Sequence, residues 1–152
     1  MNNPIKTLAA IALLIPFSLT LASAGNQQSE EAFHSSRTAR IQNYMAALRN
    51  HDAKQMLSQF VPGGTVVSTS QGNVDAASFF NSFFPEIQSA EVTINNIYID
   101  RNSNSKASAT FHFNWVLKDG STGGGDYSDE FFFDDYSGSK LGKVIMYENL
   151  KA

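Results

Sequence analysis

The sequence predicts an α+β domain in which N-terminal helices pack against a curved antiparallel sheet. Apolar residues first recur at helical spacing, as in Ile41, Tyr44, Met45 and Leu48. Later they alternate at period two, as in Ala107, Ala109, Phe111, Phe113, Trp115 and Leu117. Asp119-Gly120 then marks a hairpin between strands. Helices followed by consecutive strands place the helices on one side of a sheet, the α+β arrangement.

Taken in order, residues 1–24 read as a secretory signal peptide. Lys6 supplies the positive charge, and residues 8–15 form an unbroken apolar run continued by Phe17, Leu19 and Leu21. Ala22-Ser23-Ala24 is a small-x-small cleavage site, which would make Gly25 the first mature residue. The run is short against the ~20 residues of a bilayer span, and Pro16, Ser18 and Thr20 interrupt it, which argues against a retained anchor. No cysteine follows it, which excludes a bacterial lipoprotein anchor. The expectation is an exported protein, periplasmic or secreted, with no membrane attachment after signal removal.

Residues 25–35 are polar and aperiodic, so they read as a flexible arm, with the domain spanning 36–152. A first helix is expected over 36–50, with Arg37, Arg40, Gln42, Asn43 and Arg49 off its buried face. Asp52 and Gln55 form a capping box for a second helix whose stripe is Ala53, Met56, Leu57 and Phe60 and which Pro62-Gly63-Gly64 ends. Residues 65–69 are β-branched enough for a short strand. Asn73 or Asp75 caps a third helix with the stripe Ala76, Phe79, Phe80, Phe83 and Phe84, stopped by Pro85. Strands are expected over 92–100, 106–118, 127–134 and 143–149, the last two joined by a turn through residues 134–138.

Composition narrows the function. The whole chain carries a net charge of −3, and no basic stripe is present, which argues against nucleic acid. Without cysteine, stability must come from a packed core, for which twelve Phe residues are available. His34, His51 and His112 lie on separate elements without metal-ligand spacing, so no metal is expected. Asp100-x-Asn102-x-Asn104 starts like a calcium loop, but Ser105 and Phe111 stand where Gly and Glu are required. Gly123-Gly124-Gly125 precedes a strand rather than a helix and makes no phosphate cradle, and no cofactor is expected.

Two stretches carry a family resemblance. One is Ile41-Gln42-x-Tyr44-x-Ala46-Ala47-Leu48, running on to Asp52 and Phe60. The other is Tyr127-Ser128-Asp129-Glu130-Phe131-Phe132-Phe133, a turn, and Gly142-Lys143-Val144-Ile145. With the order of elements, they resemble the nuclear-transport-factor-2-like (SnoaL-like) superfamily over residues 37–150, nearest to its ketosteroid-isomerase-type members. The resemblance implies a cone: three N-terminal helices packed in a strongly curved antiparallel sheet, with a cavity at the open end and often a homodimer across the sheet.

The resemblance also implies site residues. Those isomerases hold a substrate oxyanion with a helix tyrosine and a protonated strand aspartate. Tyr44 and Asp129 match these two, and are the candidate catalytic and ligand-binding pair. The family's base is an aspartate on the first strand; here residues 65–72 hold no carboxylate and Ser68 falls at that place. A serine cannot accept a proton near neutrality without its own base, so ketosteroid-type isomerisation is disfavoured. By period two, Asp129 shares a face with Tyr127, Phe131 and Phe133, so a carboxylate on an aromatic face must be paired, protonated or at a pocket rim. Trp115, Phe131 and Phe133 complete the candidate ligand wall, while Tyr44 and Trp115 also have a plain reading as core. His112 faces opposite Phe111 and Phe113 and would replace the base only if its face were interior.

The resulting expectation is an exported domain whose apolar pocket takes a small, apolar, oxygen-bearing ligand. Two alternatives stand beside it: a dimerisation or protein-interaction module with a filled cone, and an isomerase- or cyclase-like enzyme using Asp129 and Tyr44.

Overall fold

The computed structural model describes residues 19–100, 103, 105–134 and 140–149. The chain divides into two compact units, Met1–Ala32 and Phe33–Ala152. Most of the expected signal sequence, parts of the 100–105 loop and residues 135–138 of the expected turn lie outside the described residues. Among the described residues, no helix is long and apolar enough to cross a membrane.

Helix α1 (Leu19–Asn50) begins well before residue 36, so the segment expected to be a flexible arm is helical. Neither Gly nor Pro occurs between Gly25 and Pro62, and nothing local stops the helix. Its buried stripe is Ile41, Tyr44, Met45, Ala47 and Leu48, as the spacing predicts. Arg37 departs from expectation: it is buried, its guanidinium 3.8 Å from the Phe33 ring centroid and 4.4 Å from that of Phe133. Rings on two sides cover a weakly hydrated cation that spacing alone assigns to solvent.

The helix closes with a Schellman motif. The N–H of Asp52 donates to Ala47 O at 3.0 Å and that of His51 to Leu48 O at 3.2 Å, with His51 held at φ +42. Asp52 then caps α2 (Ala53–Leu57), accepting from the Gln55 N–H at 2.9 Å. That helix is only five residues long, because strand β1 (Phe60–Ser68) starts at Phe60 and contains the Pro62-Gly63-Gly64 expected to lie between elements. The irregularity is absorbed by a register shift between Phe60 and Thr65. Strand β2 (Gly72–Asp75), unforeseen, hairpins back onto β1. Asp75 caps α3 (Ala76–Phe83), accepting from the Ser78 N–H at 2.9 Å, and Pro85 falls in the 3-10 turn that follows.

The remaining strands are β3 (Ile87–Ile99), β4 (Lys106–Leu117), β5 (Thr122–Phe133) and β6 (Leu141–Asn149). One six-stranded sheet results, in the order β2-β1-β6-β5-β4-β3. It is not purely antiparallel as expected: β6 returns alongside β1 in parallel, with Val66 opposite Val144. Everything from β2 to β5 forms the connection between them, the long link a parallel pair needs.

On β4 the alternation marks the interior face, since Ala107, Ala109, Phe111 and Phe113 are buried. Strand β5 starts five residues earlier than expected and takes in the three glycines, which pair with Phe113, Asn114 and Trp115. A Cβ on Gly123 would stand 2.5 Å from the Trp115 ring, so the missing side chain lets the indole lie against the strand. The core is largely aromatic. Tyr44 of α1 meets Phe131 of β5 at 5.2 Å, Phe80 of α3 at 6.1 Å and Phe60 of β1 at 6.3 Å between ring centroids.

Candidate functional site

Two layers of unusual chemistry lie on the helix-facing side of the sheet. The outer layer is a cavity of about 460 Å³. Helix α3 contributes Phe79 and Phe83, β4 Phe113 and Trp115, the end of β1 Ser68, and the β1–β2 turn Thr69, Ser70 and Gln71. Strand β5 adds Gly123, Gly124 and Tyr127, and β6 adds Glu148. Sheet register sets this up, since Tyr127 pairs with Phe111 on one side and Glu148 on the other. The aromatic wall is continuous: Phe83–Trp115 and Phe113–Trp115 centroids are 5.8 and 5.0 Å apart, and Phe113–Tyr127 6.1 Å.

Tyr127 is half-buried, and its phenol is pushed above the ordinary range. Burial is the main cause, followed by the Glu148 charge, the hydrogen bond it donates to Glu148, and the Asp129 charge. It therefore stays a neutral O–H donor near neutral pH.

The inner layer is Asp129 with Tyr44. Asp129 is 1% exposed and Tyr44 fully buried. Burial pushes the Asp129 carboxyl well above the carboxylate range, offset in part by the backbone N–H of Tyr147. Burial, and then the Asp129 charge, push the Tyr44 phenol up as well. The two are thus electrostatic neighbours. Even so, neither Tyr44 Oη nor Asp129 Oδ1 has a hydrogen-bond partner among the described residues.

Of the five residues expected to contact ligand, only Trp115 lines the cavity. Tyr44, Asp129, Phe131 and Phe133 are buried and absent from its lining. The three strand residues lie further along the sheet, where side chains of α1 cover it: Phe131 lies under Tyr44, and Phe133 under Arg37. His112 is on the opposite face, its Nδ1 2.7 Å from Asp126 Oδ1, and cannot supply the missing base. The Ser68 hydroxyl accepts the Gln71 N–H at 3.0 Å, a turn contact rather than a catalytic one. Among the described residues, no cluster of His, Asp or Glu could hold a metal.

Sequence reasoning missed Phe79, Phe83, Phe113, Tyr127 and Glu148 as cavity residues. A usable signal was present for the last: Val144, Met146 and Glu148 share one face of β6, which puts a carboxylate at the end of an apolar stripe.

No protein-family model matches the sequence, and no curated protein does so significantly. Solved structures do match. A Mycobacterium tuberculosis protein in complex with estradiol-17beta-hemisuccinate superposes with a TM-score of 0.63 at 12% identity, covering 76% of this chain and 95% of that one. The epoxide hydrolase/cyclase-like enzyme SalBIII, of pyran ring formation in the polyether salinomycin, gives 0.63 at 9% identity, over 75% and 91%. An NTF2-like protein of unknown function from Burkholderia pseudomallei gives 0.59 at 9% identity, over 75% and 91%. The chain has the nuclear-transport-factor-2-like fold. Identities this low carry the architecture and not the site, and the nuclear-transport-factor-2-like fold by itself names no activity.

Proposed function

We propose that this domain binds a small, largely apolar ligand in the cavity bounded by Phe83, Phe113, Trp115 and Tyr127. The observation that carries this is the cavity itself, about 460 Å³ with aromatic walls and a few polar groups at one side. That size and lining suit a small organic molecule. The family resemblance gives the ligand an oxygen-bearing end held by Tyr44 and Asp129; at the cavity the polar partners are instead Glu148, Tyr127 and Gln71. A melting-temperature screen with apolar ketones, phenols and amines tests this. A ligand present at a hundred times its Kd stabilises by about 2.7 kcal/mol, a rise of several degrees. A flat screen contradicts the proposal.

One observation favours a second reading, an isomerase- or cyclase-type enzyme using Asp129 and Tyr44. Two buried oxygens without hydrogen-bond partners among the described residues, one on a carboxyl held neutral by burial, are donors without an acceptor. This reading requires a substrate atom to reach them from the cavity, and Asp129→Asn would then abolish turnover while leaving binding in place. Turnover unchanged in that variant removes it.

Residues 1–24 are proposed to direct export to the periplasm or medium. N-terminal sequencing of the exported chain should begin at Gly25; an intact Met1 in the mature protein would refute cleavage.

A further inference from the structure

We propose that the cavity is selective for an organic cation, a protonated or quaternary amine carrying an apolar body. This rests on the ligand-binding reading above and names the ligand's charge. The aromatic lining residues are Phe79, Phe83, Phe113, Trp115 and Tyr127, and the one acidic side chain among the described lining residues is Glu148. No Lys, Arg or His lines the cavity among the described residues. The rings are set at varied angles: Phe83 stands at 87° to Trp115, Phe113 at 37° to Trp115 and Tyr127 at 60° to Phe113. Rings tilted in this way do not all turn the same edge inward, and any ring face open to the cavity carries the negative part of the aromatic quadrupole.

Glu148 adds a full negative charge when ionised. Tyr127 donates one hydrogen bond to it, and a carboxylate has about four acceptor sites, so capacity remains for a ligand donor. Tyr127 itself stays neutral near pH 7 and does not compensate that charge. The remaining polar lining, Ser68 to Ser70 and Gln71, is uncharged. An anion entering this cavity meets the carboxylate and electron-rich ring faces without a counter-charge. A neutral hydrocarbon gains only from apolar burial, and a neutral polar ligand adds only hydrogen bonds to these groups. A cation gains from that burial, from the rings and from Glu148 together.

Calorimetric titration of the full chain with phenyltrimethylammonium, its neutral isostere tert-butylbenzene and benzoate separates these cases. The cation should bind at least about tenfold more tightly than the isostere, with benzoate weakest. Glu148→Gln keeps an oxygen to accept from Tyr127 and should therefore fold. It should weaken the cation about tenfold and leave tert-butylbenzene unchanged. If the isostere binds as well as the cation, or the cation is insensitive to Glu148→Gln, the charge assignment is overturned while the apolar binding site stands. If none of the three binds, both readings fall.

Discussion

Asp129 is where residue chemistry and stability meet most directly. Below the ordinary carboxylate pKa of ~4 it is neutral in both folded and unfolded chains. Above that pH the unfolded chain releases the proton, whereas the folded chain holds it, because burial raises the native pKa. Stability therefore falls as pH rises from ~4 until the native pKa is passed, by ~1.4 kcal/mol per pH unit. Asp129→Asn removes that slope. Denaturant melts of both proteins at several pH values should show the variant gaining on the wild type from pH ~4 upward. A difference independent of pH would show that Asp129 is ionised in the fold. The residue's aromatic surroundings were legible in the sequence, since alternation put a carboxylate among Tyr127, Phe131 and Phe133, while its state was left open between paired, protonated and rim. Its distance from the cavity was not, because alternation gives the face of a strand and not the depth along it.

Among the helices and strands, stripes and caps were the readable features. Asp52 caps the helix expected of it, and Asp75 is the one of the two candidates, Asn73 and Asp75, that caps α3. Alternation separated the two faces of β4 without saying which is interior; the apolar one is. Errors arose where tertiary pairing overrode local pattern. Phe60 fits the helical stripe of α2 by spacing, yet it is recruited into β1, and the three glycines at the start of β5 are held in the sheet by their pairing with β4. The α1 terminus offers a clean test. His51 sits in left-handed backbone at φ +42, where a Cβ is unfavourable, and its Nδ1 is buried without a partner among the described residues. His51→Gly relieves that strain while adding unfolded-state entropy, for a net gain of about 0.5–1 kcal/mol. Equilibrium denaturation measures it; a loss of stability would mean that the imidazole makes a compensating contact.

For the molecule as a whole, the sheet has an interior face that builds the cavity and an outer face that is incompletely covered. On the outer face Tyr98 is 56% exposed and Tyr147 47%. Register puts Tyr98 in a row with Ser108 and Glu130, and Tyr147 in the adjacent row with Ser128 and Thr110. This face suits the homodimer that the family resemblance implies. Light scattering should show a dimer that Tyr98→Glu moves toward monomer; a wild-type monomer at high concentration would contradict it. Nothing in one chain's composition distinguishes such a face from an ordinary sheet surface, since isolated exposed apolar residues are common.

Occupancy of the cavity behind α3 has a built-in reporter. Trp115 is the chain's single tryptophan and lines that cavity. Its emission should therefore be titrated with the hits of the melting screen, in the wild type and in Phe113→Leu. A saturable change in Trp115 emission, with affinity weakened severalfold in the variant, is the predicted result. Saturable binding that leaves Trp115 emission unmoved would place the ligand elsewhere and contradict the assignment of this cavity as the binding site.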